Sequence, residues 1–403
     1  MEKKSTRKPK LRFIGFSESW EKTTLGELLT FKNGLNAGKE DYGDGEKFIN
    51  VLDIIQNNFI THDKIIGSVK ASEKNKELYK VEYGDVLFQR SSETREEVGQ
   101  ANVYLDREKP ALFGGFVIRG KKKSDYDPIF INHLLKTPLS RQEITSKSGG
   151  STRYNVGQET LSAVEITIAT LPEQQKIASF LSSVDERIEL LERKKEKLEA
   201  YKKGVMQQIF PSTGSGQAPQ IRFKHDDGSE FPDWEEKRLG EVCDIVKGQQ
   251  LNKSELEIEG TYPAINGGIE PSGYSGDWNT EANTITISEG GNSCGFVNFI
   301  KTKFWSGGHC YTLQKISKIA HVPFLFQLLK FNEKKIMKLR VGSGLPNIQK
   351  GDIQKLLLMV PCLPEQKKIA AFLNTIDQNL ETLDSQIQGL RTWKKGLLQQ
   401  MFV

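Results

Sequence analysis

Apolar residues follow a heptad-like spacing in two separate segments of the chain, residues 171–210 and 363–403. Steps of three, four and seven residues separate successive apolar positions, which is the seam pattern of a coiled coil. Leu171-Pro172-Glu173 is typical of a helix start, with proline in the first turn and an acidic side chain where the helix dipole favours it. We predict two long helices that pair through these seams. The predicted seam positions are Ile177, Leu181, Val184, Ile188, Leu191 and Leu198 in the first helix, and Ile369, Leu373, Ile376, Leu380, Leu383, Ile387 and Leu390 in the second.

The two segments are copies of one sequence. Residues 171–210 and 363–402 align without a gap at an offset of 192, and 19 of the 40 aligned positions are identical. The starts of the two halves also correspond, at an offset of 214. The corresponding pairs there are Trp20 and Trp234, Leu25 and Leu239, Gly26 and Gly240, Glu27 and Glu241, and Gly34 and Gly248. Each half therefore has a similar frame around a dissimilar interior.

The interiors contain short apolar runs bounded by glycine-rich turns, such as Tyr83–Arg90 and Asn283–Ser288, which we interpret as strands. We predict an α+β fold with two β-rich mixed domains, related by pseudo-two-fold symmetry and joined by two long antiparallel coiled-coil helices. Helices of about 38 residues would separate the domains by roughly 57 Å, or about 16 base pairs of DNA. The predicted segments are 1–170 (first domain), 171–210 (central helix), 211–218 (linker), 219–362 (second domain) and 363–403 (C-terminal helix).

Composition narrows the class of protein. The 403 residues carry a formal net charge of +5, and no apolar run approaches the ~20 residues of a membrane-spanning helix. The four cysteines form no CxxC pair, which argues against a disulfide framework and a structural zinc site. The basic N-terminus lacks the apolar core of a secretory signal. We expect a soluble protein of a reducing cytoplasm whose small positive charge permits nucleic-acid binding.

The candidate catalytic motifs are incomplete. Gly115–Lys122 approaches a Walker A loop but has a lysine where the magnesium-binding hydroxyl belongs. Pro232–Lys237 has the residue types of a PD-ExK nuclease without the strand that separates its acidic residues. The five histidines are dispersed, and His309-Cys310 has no spaced partner ligands. We therefore predict neither catalytic residues nor a metal site.

Polar and basic loops are better candidates for function. Residues 89–97 and 148–155, and their counterparts 287–295 and 340–347, place Arg, Ser, Thr and Asn on predicted turns. Such side chains donate to phosphates and read base edges, although a solvated surface loop has the same composition. The predicted DNA-binding residues are Lys32, Arg90, Ser92, Thr94, Arg95, Thr152, Arg153, Tyr154, Asn155, Lys247, Ser288, Asn292, Ser293, Ser343 and Asn347.

The whole pattern resembles the specificity (S) subunit of type I restriction-modification enzymes. The resemblance rests on LPEQQKIASFL and LPEQKKIAAFL, on WEKTTLGEL and WEEKRLGEV, and on the endings KKGVMQQIF and KKGLLQQMF, and it covers essentially the whole chain. It implies a non-catalytic subunit in which each target recognition domain reads one half of an asymmetric, bipartite DNA site. It also implies that the helix pair sets the spacer and docks two methyltransferase (M) subunits, and that restriction (R) subunits join the full complex.

The resemblance further implies that this chain binds no cofactor, because S-adenosylmethionine, ATP and Mg²⁺ belong to the partner subunits, and that it works in a prokaryotic cytoplasm at the nucleoid. Three alternatives stay open at the level of sequence. The chain could serve a related system whose methyltransferase and nuclease are fused on a separate chain. It could also be a self-contained nuclease or methyltransferase, or a coiled-coil scaffold that does not bind DNA.

Overall fold

The computed structural model describes residues 8–211, 218–342, 344 and 346–403. These residues form two compact units. Unit 1 consists of the described residues of Met1–Leu191 together with Gln386–Val403, and unit 2 consists of the described residues of Glu192–Ser385. Each unit therefore contains one β-rich domain and a portion of both long helices. Most of the predicted linker, residues 212–217, lies outside the described residues.

Unit 1 is built from short strands and short helices. Its strands are β1 (Glu21–Thr24), β2 (Leu29–Asn33), β3 (Tyr42–Ile49), β4 (Ser68–Val69), β5 (Val86–Gln89), β6 (Ser91–Ser92), β7 (Ala101–Val103), β8 (Leu112–Phe113), β9 (Val117–Lys122), β10 (Tyr154–Asn155) and β11 (Glu165–Ile168). Its helices are α1 (Leu25–Leu28), α2 (Val51–Gln56), α3 (Glu73–Leu78), α4 (Pro128–Leu135), α5 (Pro138–Ser146), α6 (Gln158–Ser162) and the first part of α7 (Leu171–Ile209).

Unit 2 is also built from short strands and short helices, but it has fewer of them. Its strands are β12 (Glu235–Arg238), β13 (Asp244–Lys247), β14 (Tyr262–Ile265), β15 (Tyr274–Ser275), β16 (Thr284–Ser288), β17 (Val297–Ile300), β18 (Trp305–Ser306), β19 (Cys310–Gln314) and β20 (Leu357–Val360). Its helices are α8 (Leu239–Val242), α9 (Val322–Phe331), α10 (Glu333–Met337), α11 (Lys350–Gln354) and the first part of α12 (Leu363–Met401).

The sheets of the two units have the same topology. Unit 1 has an antiparallel sheet of order β2-β9-β5-β7, and unit 2 has one of order β13-β19-β16-β17. Each unit adds a three-stranded sheet with one antiparallel and one parallel pairing, β4-β3-β8 or β15-β14-β18. A separate strand pair, β1-β11 or β12-β20, precedes each long helix. The duplicated frame of the sequence therefore encodes a duplicated fold, and the predicted α+β class is confirmed.

The central sheet of unit 1 is covered on both faces. Phe88 of β5 lies in the core that also contains Phe130 of α4 and Leu181 of α7, whereas Leu87 faces a second core with Ile54 of α2. All four residues of β5 are buried. This explains why Val86, Leu87 and Phe88 form a continuous apolar run instead of an alternating pattern.

Two frame glycines are required by close backbone contacts. A Cβ atom on Gly34 would lie 2.0 Å from the carbonyl oxygen of Gly114, and one on Gly248 would lie 2.3 Å from that of Gly307. No side chain fits at either distance, so the chain can cross there only with glycine. The same packing constraint accounts for glycine at both positions of the repeat.

The repeated LPEQ motif anchors each long helix to its own domain. Glu173 is 1% exposed and accepts from Arg12 Nε at 2.6 Å, from Arg12 Nη2 at 2.7 Å and from Trp20 Nε1 at 3.2 Å. In unit 2, Glu365 accepts in the same way from Arg222 and Trp234. The hydrogen bonds to Glu173 raise the pKa of Arg12. The glutamate therefore acts mainly as a buried ion-pair partner, beyond the helix-dipole role expected from the sequence.

The long helices begin at the predicted residues, and their segments run antiparallel within each unit. Both are 39 residues long. In unit 1, Ile177 and Leu181 of α7 share a core with Leu397 and Met401 of α12, so a low residue number on one helix meets a high number on the other. The helix ends are thus parts of the domain cores and do not form a free stalk, because an amphipathic helix needs a wide apolar surface to be stable. Ten predicted seam residues are buried, and Leu198, Leu380 and Leu390 are half-buried.

Within the described residues, no helix combines the length and the apolar character needed to cross a membrane. All four cysteines lie in the described part of the chain and are free thiols.

Candidate nucleic-acid interface

Three segments of unit 1 meet at the end of β5 through backbone hydrogen bonds. The N–H of Arg90 donates to the carbonyl of Phe116 at 2.9 Å, and the N–H of Val156 donates to the carbonyl of Arg90 at 3.0 Å. Gly149 and Asn155 exchange two further bonds, of 3.0 and 2.8 Å. The two loops of unit 1 predicted from the sequence are therefore neighbours, and they flank the turn that connects β8 and β9.

The same hydrogen bonds recur in unit 2. The N–H of Glu289 donates to the carbonyl of His309, and the N–H of Ile348 donates to the carbonyl of Glu289, both at 2.9 Å. Val341 and Asn347 exchange two bonds, of 2.9 and 3.0 Å. The bonds, together with the matching ends of β2 and β13, define equivalent positions. The equivalent pairs at this surface are Arg90 and Glu289, Phe116 and His309, Asn33 and Lys247, and Asn155 and Asn347.

The three predicted arginines of unit 1 differ in how strongly they are held. Arg90 is exposed, and its Nη1 donates to the carbonyl of Gly115 at 3.4 Å. Arg153 is 67% exposed and lies 4.0 Å from Glu93, the limit of an ion pair. Arg95, by contrast, donates to two carbonyls at the end of α5, at 3.1 and 3.3 Å. Arg90 and Arg153 are thus the arginines most accessible to a ligand, whereas Arg95 stabilises its own loop against the end of α5.

Ser92 and Ser288 point inward. Ser92 is 8% exposed, donates its hydroxyl to Glu97 at 3.0 Å and accepts from the N–H of Thr94. Ser288 is 3% exposed and donates to the carbonyl of Gly267 at 2.5 Å. In this structure both hydroxyls order their loops and are not presented to solvent.

The remaining predicted residues are placed as follows. Lys32 is half-buried, with its Nζ 5.1 Å from the ring centroid of Tyr79, and burial lowers its pKa. It is not among the residues that the loop hydrogen bonds bring together. Ser343 lies outside the described residues. Thr94, Thr152, Asn155, Lys247 and Asn292 are exposed, and Tyr154, Ser293 and Asn347 are half-buried.

The sequence reasoning missed three residues at this surface, Glu289, Phe116 and His309. Phe116 is 68% exposed beside the Arg90 loop, and His309 is 61% exposed at the matching place in unit 2. Glu289 is buried and bonded to Lys247. For Phe116, an aromatic residue that follows two glycines was a usable signal in the sequence. Glu289 gave no such signal, because its acidic side chain is not one expected to bind phosphates.

Exposed aromatic residues also recur on the helical part of each unit. The ring centroids of Phe180 and Trp393 are 5.9 Å apart in unit 1, and Trp393 is 49% exposed. In unit 2 the equivalent residues, at an offset of 192, are Phe372 and Tyr201, and Tyr201 is 53% exposed. We call Phe180 with Trp393 and Phe372 with Tyr201 the helix aromatic pairs. Within the described residues, no group of three or more His, Cys, Asp or Glu side chains is arranged to hold a metal ion.

Comparison with known proteins identifies the family. The model of the type I restriction modification DNA specificity domain matches residues 17–200 and again residues 232–390. A protein named as a type I specificity subunit in Mycoplasma pneumoniae is 32% identical over 171 residues, which is 42% of this chain and 45% of that protein. This match and the one to a Mycoplasma genitalium specificity subunit span less than half of those relatives. A type I restriction enzyme specificity subunit of Methanocaldococcus jannaschii is 26% identical over 94% of this chain and 92% of its own length.

Solved structures give the same fold. The crystal structure of the type I restriction-modification S subunit from M. genitalium matches 98% of this chain and 99% of its own, with a TM-score of 0.66 at 21% identity. A chain from a type I restriction-modification system described for its complex assembly and conformational transition matches with a TM-score of 0.55 at 19% identity, over 95% of this chain and 97% of its own. The chain therefore belongs to the family of type I restriction-modification DNA specificity subunits and contains two copies of the DNA specificity domain.

Proposed function

We propose that each unit reads one half of a bipartite DNA site and that the two halves differ in sequence. The observation that carries the proposal is the duplicated frame with different side chains at equivalent loop positions, above all Arg90 against Glu289. Arg90 is exposed and can contact DNA itself, whereas Glu289 is buried and bonded to the exposed Lys247, so the two units present their charged donors from different positions. Two similar folds with different readers fit two unlike half-sites.

The contacts divide into phosphate contacts that position the units and base contacts that specify the site. Arg153 and Arg90 are the first candidates in unit 1, because both are exposed and loosely held. Lys247, Asn292 and Asn347 are the candidates in unit 2. The modest net charge of +5 suits a protein that distributes its DNA contacts over two surfaces.

The long helices supply the spacer between the half-sites. Each helix has 39 residues. At a rise of ~1.5 Å per residue, such a helix is about 58 Å long, roughly the length of 16 to 17 base pairs. A fixed helix length would make the chain reject half-sites that are one base pair closer or farther apart, as in other proteins that bind two sites at a set distance.

The helical surfaces would dock two methyltransferase subunits. Each helix aromatic pair has one exposed member, Trp393 in unit 1 and Tyr201 in unit 2, which fits one copy of the same partner at each place. We place S-adenosylmethionine with those partners, and ATP and Mg²⁺ on partner subunits of the full complex; none is proposed for this chain.

Coexpression of the chain with its cognate methyltransferase, followed by genome-wide mapping of methylated adenines, tests this function. We expect one asymmetric motif with two specified halves and a spacer of constant length. The methyltransferase expressed without the chain is the control and should leave no such motif. Methylation that shows no bipartite motif in the presence of the chain would refute the proposal.

A further inference from the structure

The buried carboxylate of Glu289 holds an exposed lysine at the loop surface of unit 2. Glu289 is 5% exposed, whereas the Lys247 side chain is 51% exposed. The two meet at 2.6 Å, Nζ to Oε1, and Tyr311 donates its hydroxyl to the same oxygen at 3.0 Å. The backbone of Glu289 is fixed as well, by hydrogen bonds to His309 and Ile348. The cation at the surface is therefore oriented from inside the domain.

The second carboxylate oxygen is buried without a hydrogen-bond partner. Oε2 of Glu289 lies 3.5 Å from Nδ1 of His309, which is 61% exposed. A buried charge destabilises a fold unless it is paired, so this carboxylate depends on Lys247. Such an arrangement is unfavourable for stability alone and indicates a role for the oriented ammonium.

The pair is suited to a neutral acceptor more than to a phosphate. The ammonium has three N–H donors, of which one is directed to Oε1 and the others remain for a ligand. The neighbouring carboxylate would repel a phosphate but not the uncharged acceptors of a base. Guanine presents two such acceptors, N7 and O6, in the major groove, and lysine and arginine are its usual partners.

We propose that Glu289 is a specificity-determining positioning residue, which directs Lys247 to a guanine in the half-site read by unit 2. The inference rests on the proposed function and adds to it the base and the residue that orients its reader. Because Lys247 is already oriented, less side-chain entropy is lost when the base binds. Discrimination between bases arises because Glu289 holds the Lys247 side chain, which is then not free to contact the phosphate backbone instead.

Unit 1 presents its cation from a different strand end. There the position of Glu289 is occupied by Arg90, and the position of Lys247 by Asn33. The charged donor is thus carried by the end of β5 in unit 1 and by the end of β13, the counterpart of β2, in unit 2. The charged donor, Arg90 in unit 1 and Lys247 in unit 2, thus lies at a different place on the loop surface of each unit. The two units would therefore read guanines at different positions of their half-sites.

Selection of bound sites from a randomised duplex library, with the purified full-length chain, tests the proposal. Glu289→Gln keeps the shape of the side chain but removes its charge. We expect the guanine preference at one position to fall about tenfold. Affinity for non-specific DNA should stay equal or rise, because a negative charge has been removed from the binding surface. Lys247→Met should also remove the guanine preference, whereas the matched control Glu281→Gln, at a side chain 67% exposed, should change nothing.

Several outcomes would overturn the inference. An equal loss of specific and non-specific affinity in Glu289→Gln would mean a purely structural role, and an unchanged guanine preference would remove Glu289 from recognition. If Lys247→Met weakens binding to all sequences equally, and reduces the slope of log affinity against log salt concentration by about one, then Lys247 contacts a phosphate and not a base. If the wild-type chain selects no bipartite site, the proposed function itself fails. Should Glu289→Gln not fold, the wild-type chain can be tested on DNA with 7-deazaguanine, which lacks N7; no sensitive guanine in that half-site would overturn the inference.

Discussion

Lys202 of α7 lies 2.5 Å from Asp377 of α12, Nζ to Oδ1, and this ion pair joins the two helices within unit 2. Lys195 and Asp384 form a second such pair in unit 2, and Asp185 and Lys394 form one in unit 1. The residue numbers of each pair add to 579, as expected for antiparallel helices. The three lysines interrupt the apolar seams of the sequence, and each interruption is matched by an aspartate on the facing helix.

We predict that Asp377→Asn destabilises unit 2 by about 1–3 kcal/mol, because Lys202 is only 16% exposed and would lose its charged partner. Urea unfolding of the full-length chain measures the loss. The control Asp384→Asn removes a more exposed partner, at 53%, and should change the free energy of unfolding by less than about 1 kcal/mol. Equal effects of the two variants would contradict the burial argument.

We predict that His133 makes unit 1 less stable as the pH falls. Burial, followed by Lys394 and Lys136, lowers the pKa of His133 to about 3 from an ordinary value near 6.5. Between these values the unfolded chain binds a proton that the folded chain excludes, so stability is full above about pH 6.5 and decreases below it, by at most about 1.4 kcal/mol per pH unit.

His133→Gln tests this, because the equivalent residue of unit 2, Gln327, donates to Asp377 at 2.7 Å, whereas His133 Nε2 lies 3.7 Å from Asp185. The variant should lose this part of the pH dependence between pH 5 and 6.5, as measured by denaturant unfolding at several pH values. The exposed control His225→Gln should keep the wild-type slope. A wild-type slope in His133→Gln would contradict the prediction.

We predict that Arg12→Met destabilises unit 1 by about 3 kcal/mol, because it leaves the buried Glu173 carboxylate without its cation. Thermal or urea unfolding measures the effect. Lys10→Met, at an exposed residue of the same segment, is the control and should have an effect below about 0.5 kcal/mol. If both substitutions are neutral, the Arg12 ion pair contributes nothing to the anchoring of α7.

If Arg153 contacts a guanine, we expect Arg153→Ala to weaken DNA binding by ~1–3 kcal/mol and to relax one half-site only. The methylation motif of the complex, mapped with wild type and variant side by side, is the readout. Arg95→Ala is the comparison, because Arg95 is held by carbonyls of α5. A methylation pattern unchanged by Arg153→Ala would remove Arg153 from the recognition surface.

A charge in the helix seam should abolish assembly with the methyltransferase. Ile188 is 8% exposed on α7 and Leu380 is half-buried on α12, so Ile188→Asp or Leu380→Asp would bury a carboxylate without a partner. Copurification with a tagged methyltransferase is the measurement. Leu190→Asp is the control for a charge outside the seam, because Leu190 of α7 is 51% exposed. A seam variant that still copurifies would contradict the prediction.

Local patterns were sufficient for the helices and the frame. The starts at Leu171 and Leu363 follow from the proline-containing first turn, and burial of the seam follows from the heptad spacing, because both depend on residues close in sequence. The role of Arg12 could not be predicted in this way. In the sequence, Arg12 is one of several basic residues of the N-terminal segment. Its partner Glu173 is 161 residues away, so only the tertiary structure distinguishes Arg12 from its neighbours.

The sequence by itself determined the two-fold repeat, the α+β class and the family to which the chain belongs. Only the tertiary structure decided which loop residues occupy equivalent places. Arg90 and Glu289 are related by an offset of 199, which is neither the 214 of the domain starts nor the 192 of the helices. Insertions change the spacing of loops along the chain, but the backbone hydrogen bonds that hold a loop end against its sheet stay the same. These hydrogen bonds therefore identify Arg90 and Glu289 as equivalent positions, although the two side chains carry opposite charges.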